Sequence, residues 1–304
     1  MELGVHLPLM EFGAEGQSLG RLARATETAR DCGFAAVAAN DHFLFATPWL
    51  DGPTALAAVL DRSGAMDLAT TVALVALRGP MPLAKTLAAL DVLSEGRLIA
   101  GVGPGSSVRD FAALGIPFAE RWARFDEATA LLRTLLRDEP PPELRRFHAL
   151  PDAPLAPRRI GGVPVWIGSW GSPAGLRRVA RLGDGWLASA YNTTPAAFAR
   201  ARASLSDALR TEGRDGEPFP NALVTMWTWI TEDERDADRV LRDVLGPMLK
   251  RDPALLRDQL CVGPPERCAE LLARYADAGC ERVYLWPVAD EPRQIELAAA
   301  LPLP

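Results

Sequence analysis

Leu68-Ala69-Thr70-Thr71-Val72-Ala73-Leu74-Val75, then residues 82–93, then Leu98-Ile99-Ala100-Gly101-Val102: this stretch decides the fold. The first run is almost continuously apolar, which predicts a strand covered on both faces. Residues 82–93 read as a helix, with Pro82 suited to the first helical position. The turn Ser94-Glu95-Gly96-Arg97 then leads into the second apolar run. Strand, helix and strand in this order make a βαβ unit, whose two strands run parallel.

The same alternation extends in both directions. Short apolar runs at 3–7, 34–39, 163–168, 185–189, 222–230 and 282–286 read as six further strands. Helical segments separate them. One is opened by Ser18 as N-cap and closed by Gly33; others cover 53–62, 120–137, 173–182, 195–210 and 265–277. Residues 232–258 form a helical region, and a short helix from Pro292 ends the chain. Eight strands, each followed by helix, predict an α/β fold, a (β/α)8 TIM barrel with insertions, as one domain over 1–304. An open doubly wound sheet is the rival, but no G-x-G-x-x-G follows the first strand. The proline-dense stretch with Pro140, Pro141, Pro142, Pro151, Pro154 and Pro157 reads as an inserted loop.

With 33 Lys+Arg against 39 Asp+Glu in 304 residues, the formal charge is −6, which argues against a nucleic-acid partner. No apolar run approaches the roughly 20 residues that span a bilayer, so no membrane role is expected. The N-terminus has no basic region or cleavage site of a signal peptide. Cys32, Cys261, Cys268 and Cys280 include no C-x-x-C and read as reduced, mostly buried thiols, which places the protein in the cytoplasm.

In such a barrel the chemistry collects where strands end. The second strand ends in Asn40-Asp41-His42-Phe43, where Asp41 and His42 can orient a ring and manage a proton. The residues equally allow an Asp that caps the next turn and a His in solvent. His6 lies inside the first strand and His148 in the proline loop, so no two histidines have metal-ligand spacing, and no metal is expected. The fourth strand ends in Gly101-Val102-Gly103-Pro104-Gly105-Ser106-Ser107, where glycines either admit a flat ligand or make a plain turn. After the fifth comes Trp166-Ile167-Gly168-Ser169-Trp170-Gly171-Ser172-Pro173, with Ser172 as N-cap. Free N–H groups at that helix start make 168–172 the best phosphate candidate, with Arg177 and Arg178 one turn further along. Trp166 and Trp170 read as core or ligand wall, and Trp186 as core. No nucleophile elbow or Ser/His/Asp series is evident.

These pieces in this order resemble the bacterial luciferase-like family of flavin- and deazaflavin-dependent oxidoreductases, over nearly the whole chain. The specific stretches are Ala69-Thr70-Thr71-Val72, Leu87-Ala88-Ala89-Leu90-Asp91-Val92-Leu93-Ser94-Glu95-Gly96-Arg97-Leu98 and Gly115-Ile116-Pro117-Phe118-Ala119-Glu120-Arg121. Gly101-Val102-Gly103-Pro104-Gly105, Trp166-Ile167-Gly168, Gly183-Asp184-Gly185-Trp186 and Val262-Gly263-Pro264-Pro265-Glu266 complete them. The resemblance implies a ring cofactor across the C-terminal mouth, its phosphate at Gly168, Ser169, Gly171 and Ser172. It also implies a non-prolyl cis peptide near Thr71 and Val72, behind the ring. Asp41-His42, Gly103-Pro104-Gly105 and Arg109-Asp110-Phe111 are similar to the deazaflavin branch. The implied activity is hydride transfer between coenzyme F420 and a small organic substrate, with Asp41 holding the coenzyme and His42 moving the proton. The alternatives are an FMN-dependent monooxygenase fed by a separate reductase, and a non-catalytic flavin-binding barrel. A homodimer is implied as well.

Overall fold

The computed structural model describes residues 1–12, 16–137, 139–143, 145–149 and 154–303. Among them are ten strands: β1 (Glu2–His6), β2 (Ala36–Ala39), β3 (Asp67–Thr70), β4 (Ala73–Leu74), β5 (Leu98–Gly103), β6 (Val165–Gly168), β7 (Gly185–Ser189), β8 (Asn221–Ile230), β9 (Cys261–Gly263) and β10 (Arg282–Pro287). They pair in parallel in the order β10-β1-β2-β3-β5-β6-β7-β8, and β8 pairs β10 to close the ring. The result is an eight-strand barrel with helices outside, the (β/α)8 architecture read from the alternation.

Three details differ from the sequence reading. The strand expected over 68–75 is two strands, broken at Thr71-Val72, whose peptide bond is cis, and from Val75 the chain is already helical (Val75–Arg78). β9, in a segment expected to lead from helix to helix, adds to β8 outside the ring. Val108–Ala113, expected within a glycine-rich loop, is a helix capped by Ser107, whose hydroxyl accepts the Asp110 N–H. Apolar patterning does not register breaks of one or two residues, because a bulge and a strand bury the same side chains.

The ring interior is filled by Trp166, Tyr284, Ile99, Leu187 and Val224 against the small Ala36, Ala38, Ala69 and Ala222. Two glycines make this possible: a Cβ at Gly4 would lie 2.6 Å from the Tyr284 ring, and one at Gly185 2.6 Å from Trp166. Trp166 is therefore barrel core. Trp186 is core on the outside, stacked on Phe198 at 4.9 Å, with its N–H donating to the Ser169 carbonyl. Trp170 belongs to neither, being 60% exposed.

All four cysteines are free, three buried and Cys32 half-buried. In the insertion, the Glu127 carboxylate accepts the backbone N–H groups of Arg146, Phe147 and His148. That fastens the loop, and His148 with it, to the helix Arg121–Arg137. Pro151 lies outside the described residues. No described helix is long and apolar enough to cross a membrane.

Candidate functional site

A cavity of about 1100 Å³ opens at the C-terminal ends of β2, β5, β7, β8 and β10. His42, just past β2, is part of its wall. The His42 Nδ1 lies 3.1 Å from one carboxylate oxygen of Asp110, and the other oxygen accepts the Leu44 N–H at 2.9 Å. Asp110 is fully buried. A buried carboxylate accepts from an imidazole N–H, so Nδ1 carries the hydrogen and Nε2 is the nitrogen left to take or give a proton.

Below the cavity, β8 carries one residue more than β10 between the pairs Leu223–Val283 and Met226–Leu285. This bulge holds Thr225 at φ 58°, a left-handed conformation disfavoured for a β-branched residue, and places it in the cavity wall. The freed Thr225 N–H donates to His6 Nε2 at 3.2 Å. His6 Nδ1 therefore carries the hydrogen, 3.4 Å from the Thr71 hydroxyl. His6 is wholly buried and stacked on Trp286 at 4.3 Å, and burial lowers its pKa to about 3. It is a neutral floor support.

The structure brings Thr71, Val72, Gly103 and Gly168 together on the β3–β6 side of the mouth. A Cβ at Gly103 would sit 2.5 Å from a Val72 methyl, and one at Gly168 would sit 3.0 Å from the other. Both glycines leave room for Val72, which forms a small apolar ledge between β4, β5 and β6. Pro104 and Gly105 continue from β5, with Gly105 at φ 81°. Ser169, Gly171 and Ser172 gather at the start of the helix Pro173–Leu182. Ser169 Oγ accepts the Gly171 N–H, and Ser172 Oγ accepts that of Gly175. Pro173 has no N–H, so among the described residues the first turn keeps the Ala174 N–H for an outside acceptor.

Two expectations need correction. Asp41 is not in the cavity wall. It is 1% exposed, and its oxygens take two bonds of 2.7 Å from Arg78 and the Leu74 N–H at 3.1 Å. It fastens the end of β2 to the helix Val75–Arg78, since a buried carboxylate requires a partner. Arg178 is also engaged elsewhere, paired with Asp126 and lying 4.6 Å over the Trp122 ring. Arg177 is exposed.

Asp110 and the aromatic wall were not singled out as site residues. Asp110 had a signal: Ser107-Val108-Arg109-Asp110 has the S-x-x-D form of a capping box. For Trp49, Trp227 and Trp286 there was none, because an aromatic side chain reads the same in a core and in a ligand wall.

The family described as luciferase-like monooxygenase matches residues 1–282. An F420-dependent glucose-6-phosphate dehydrogenase of Amycolatopsis mediterranei is 33% identical over 170 residues, 52% of this chain and 50% of that one. A 4-hydroxyprotoasukamycin monooxygenase of Streptomyces nodosus is 30% identical over 196 residues, 63% of this chain and 50% of its own. The chain thus spans about half the length of the curated relatives it matches. A solved F420-dependent secondary alcohol dehydrogenase, in complex with an F420-acetone adduct, superposes with a TM-score of 0.85 at 19% identity, covering 99% of this chain and 97% of that one. At that identity the likeness is one of fold. A match over nearly the full length, on a closed parallel barrel whose third strand breaks at a cis Thr71-Val72 bond, assigns the chain to the luciferase-like monooxygenase family.

Proposed function

We propose that this protein is an F420-dependent oxidoreductase acting on a small organic substrate. The observation that carries this reading is His42, held by buried Asp110 in one tautomer at the edge of a large cavity. The residues fit the group: Val72, seated by Gly103 and Gly168, would back the ring, and 168–172 with the Ala174 N–H would receive the phosphate. When bound, F420 supplies or accepts a hydride. His42 Nε2 would then give a proton to the substrate oxygen as its carbon is reduced, or remove one as it is oxidised. The first curated relatives, whose names carry F420, support the coenzyme.

The monooxygenase relative supports a second reading, FMN with oxygen. Titration with F420 and with FMN separates the two. Saturable F420 binding is expected, and FMN binding without F420 binding overturns the proposal. A single domain over 1–304, a homodimer, a cytoplasmic setting and a separate reductase complete the reading.

The phosphate position has its own test. Gly171 has φ 86°, and a Cβ there would lie 3.2 Å from Ala201, so any side chain strains the loop. Gly171→Ala is therefore the control for Gly171→Asp. The aspartate should weaken F420 about tenfold further than the alanine, by repulsion near the positive helix start. Equal affinities in calorimetry would move the phosphate elsewhere.

A further inference from the structure

We infer that the substrate is a flat, largely uncharged aromatic molecule, seated on the β8–β10–β2 arc of the mouth. This deepens the coenzyme reading above and rests on it only for the chemistry, not for the binding surface. Six rings make a linked series along one part of the cavity wall. His42 meets Trp49 at 4.7 Å and Phe45 at 5.0 Å, and Trp49 meets Trp286 edge to face at 5.6 Å. Trp286 stacks on Trp227 at 4.2 Å, and Trp227 meets Phe12 at 5.5 Å. Phe12, Phe45 and Trp49 are only half-buried, although a core would cover them. A bound ring would gain both buried area and edge-to-face contact from them.

The wall is also preset. The Leu50 N–H donates to the Leu9 carbonyl at 2.9 Å, and Trp49 bridges Met10 across antiparallel backbone. The loop after β2 is thereby fastened to the loop after β1, so binding need not order it.

Arg109, Arg239, Asp243 and Lys250, the charged residues of the described lining, are all exposed. Arg239 pairs with Asp236, and Asp243 with Arg242. A phosphorylated sugar on the aromatic arc would leave several hydroxyls without partners, at a cost an arene does not incur. The Val72 ledge is not in this lining, so the proposed coenzyme ring and the substrate ring have separate places.

The test is equilibrium binding of fluorenone, a neutral flat aryl ketone, and of glucose 6-phosphate to the full chain, with and without F420. Fluorenone should bind saturably and glucose 6-phosphate should not. Trp49→Ala should weaken fluorenone at least about tenfold while leaving F420 affinity unchanged. Trp49→Phe, which keeps an aromatic face and breaks no hydrogen bond among the described residues, should retain most of the affinity. Phe45→Ala, on the same loop, provides a second reading should Trp49→Ala fold poorly. The proposal is overturned if fluorenone does not bind, if neither truncation weakens it, or if glucose 6-phosphate binds in its place. Trp49-dependent fluorenone binding without F420 binding would instead remove the coenzyme reading and leave the substrate class standing.

Discussion

Replacing His42 with alanine should lower F420-linked turnover of an aryl ketone by about 10²–10⁴-fold, the usual contribution of a positioned general acid or base. Coenzyme affinity and folding should be retained, because His42 is half-buried at the mouth and its bond to Asp110 is the one side-chain hydrogen bond described for it. Asp110→Asn tests the positioning separately. With its oxygen still accepting the Leu44 N–H, the asparagine would present an NH₂ group to Nδ1 and force the hydrogen onto Nε2. Turnover should fall about 10²-fold or more, as when a carboxylate that sets a histidine tautomer is neutralised. The imidazole nitrogen shifts should report the exchanged tautomer, and the pH profile of kcat/KM should move. A variant with wild-type tautomer and profile but lower activity would make Asp110 merely structural.

The second large effect is on stability in acid. His6 is neutral in the fold with a pKa of about 3, lowered by burial from the usual 6.5. Between those values the unfolded chain takes up a proton that the folded one refuses. Stability is therefore complete above pH 6.5 and declines as pH falls toward 3, by up to about 1.4 kcal/mol per pH unit. Protonation would also set a second N–H against the Thr225 N–H that Nε2 accepts. The rings and hydroxyl around it, Trp286, Tyr284 and Thr71, carry no charge in this range. His148, whose pKa burial also lowers, adds in the same direction. Carboxylates held below their usual range, such as Asp51, contribute only at lower pH. The unfolding free energy from urea titrations should fall by about 2 kcal/mol between pH 6.5 and 4.5. His6→Asn, less stable overall, should lose most of that slope, and an unchanged slope would refute the assignment.

The barrel was legible in the chain because strand and helix periodicities are local. The apolar runs of β1, β5 and β7 and the caps Ser18 and Ser172 involve residues a few positions apart. The cis bond at Thr71-Val72 was legible only through the family resemblance, and the seat of Val72 between Gly103 and Gly168 was not legible. What Asp41 does was not legible. Next to His42 in sequence, it faces Arg78, because a residue past a strand end can turn toward the helix layer or the mouth with the same pattern. Nor was the partner of His42, which lies 68 positions away, or that of His6, which lies 219 positions away. The aromatic wall likewise draws Phe12, Trp49, Trp227 and Trp286 from four separate strand ends. Sequence alone determined the eight barrel strands and most of the helices around them, since neighbouring residues set that pattern, but not the break after β3, β9 or the helix Val108–Ala113. Only ring closure decided which side chains share the mouth, because it brings together strand ends that have no proximity along the chain.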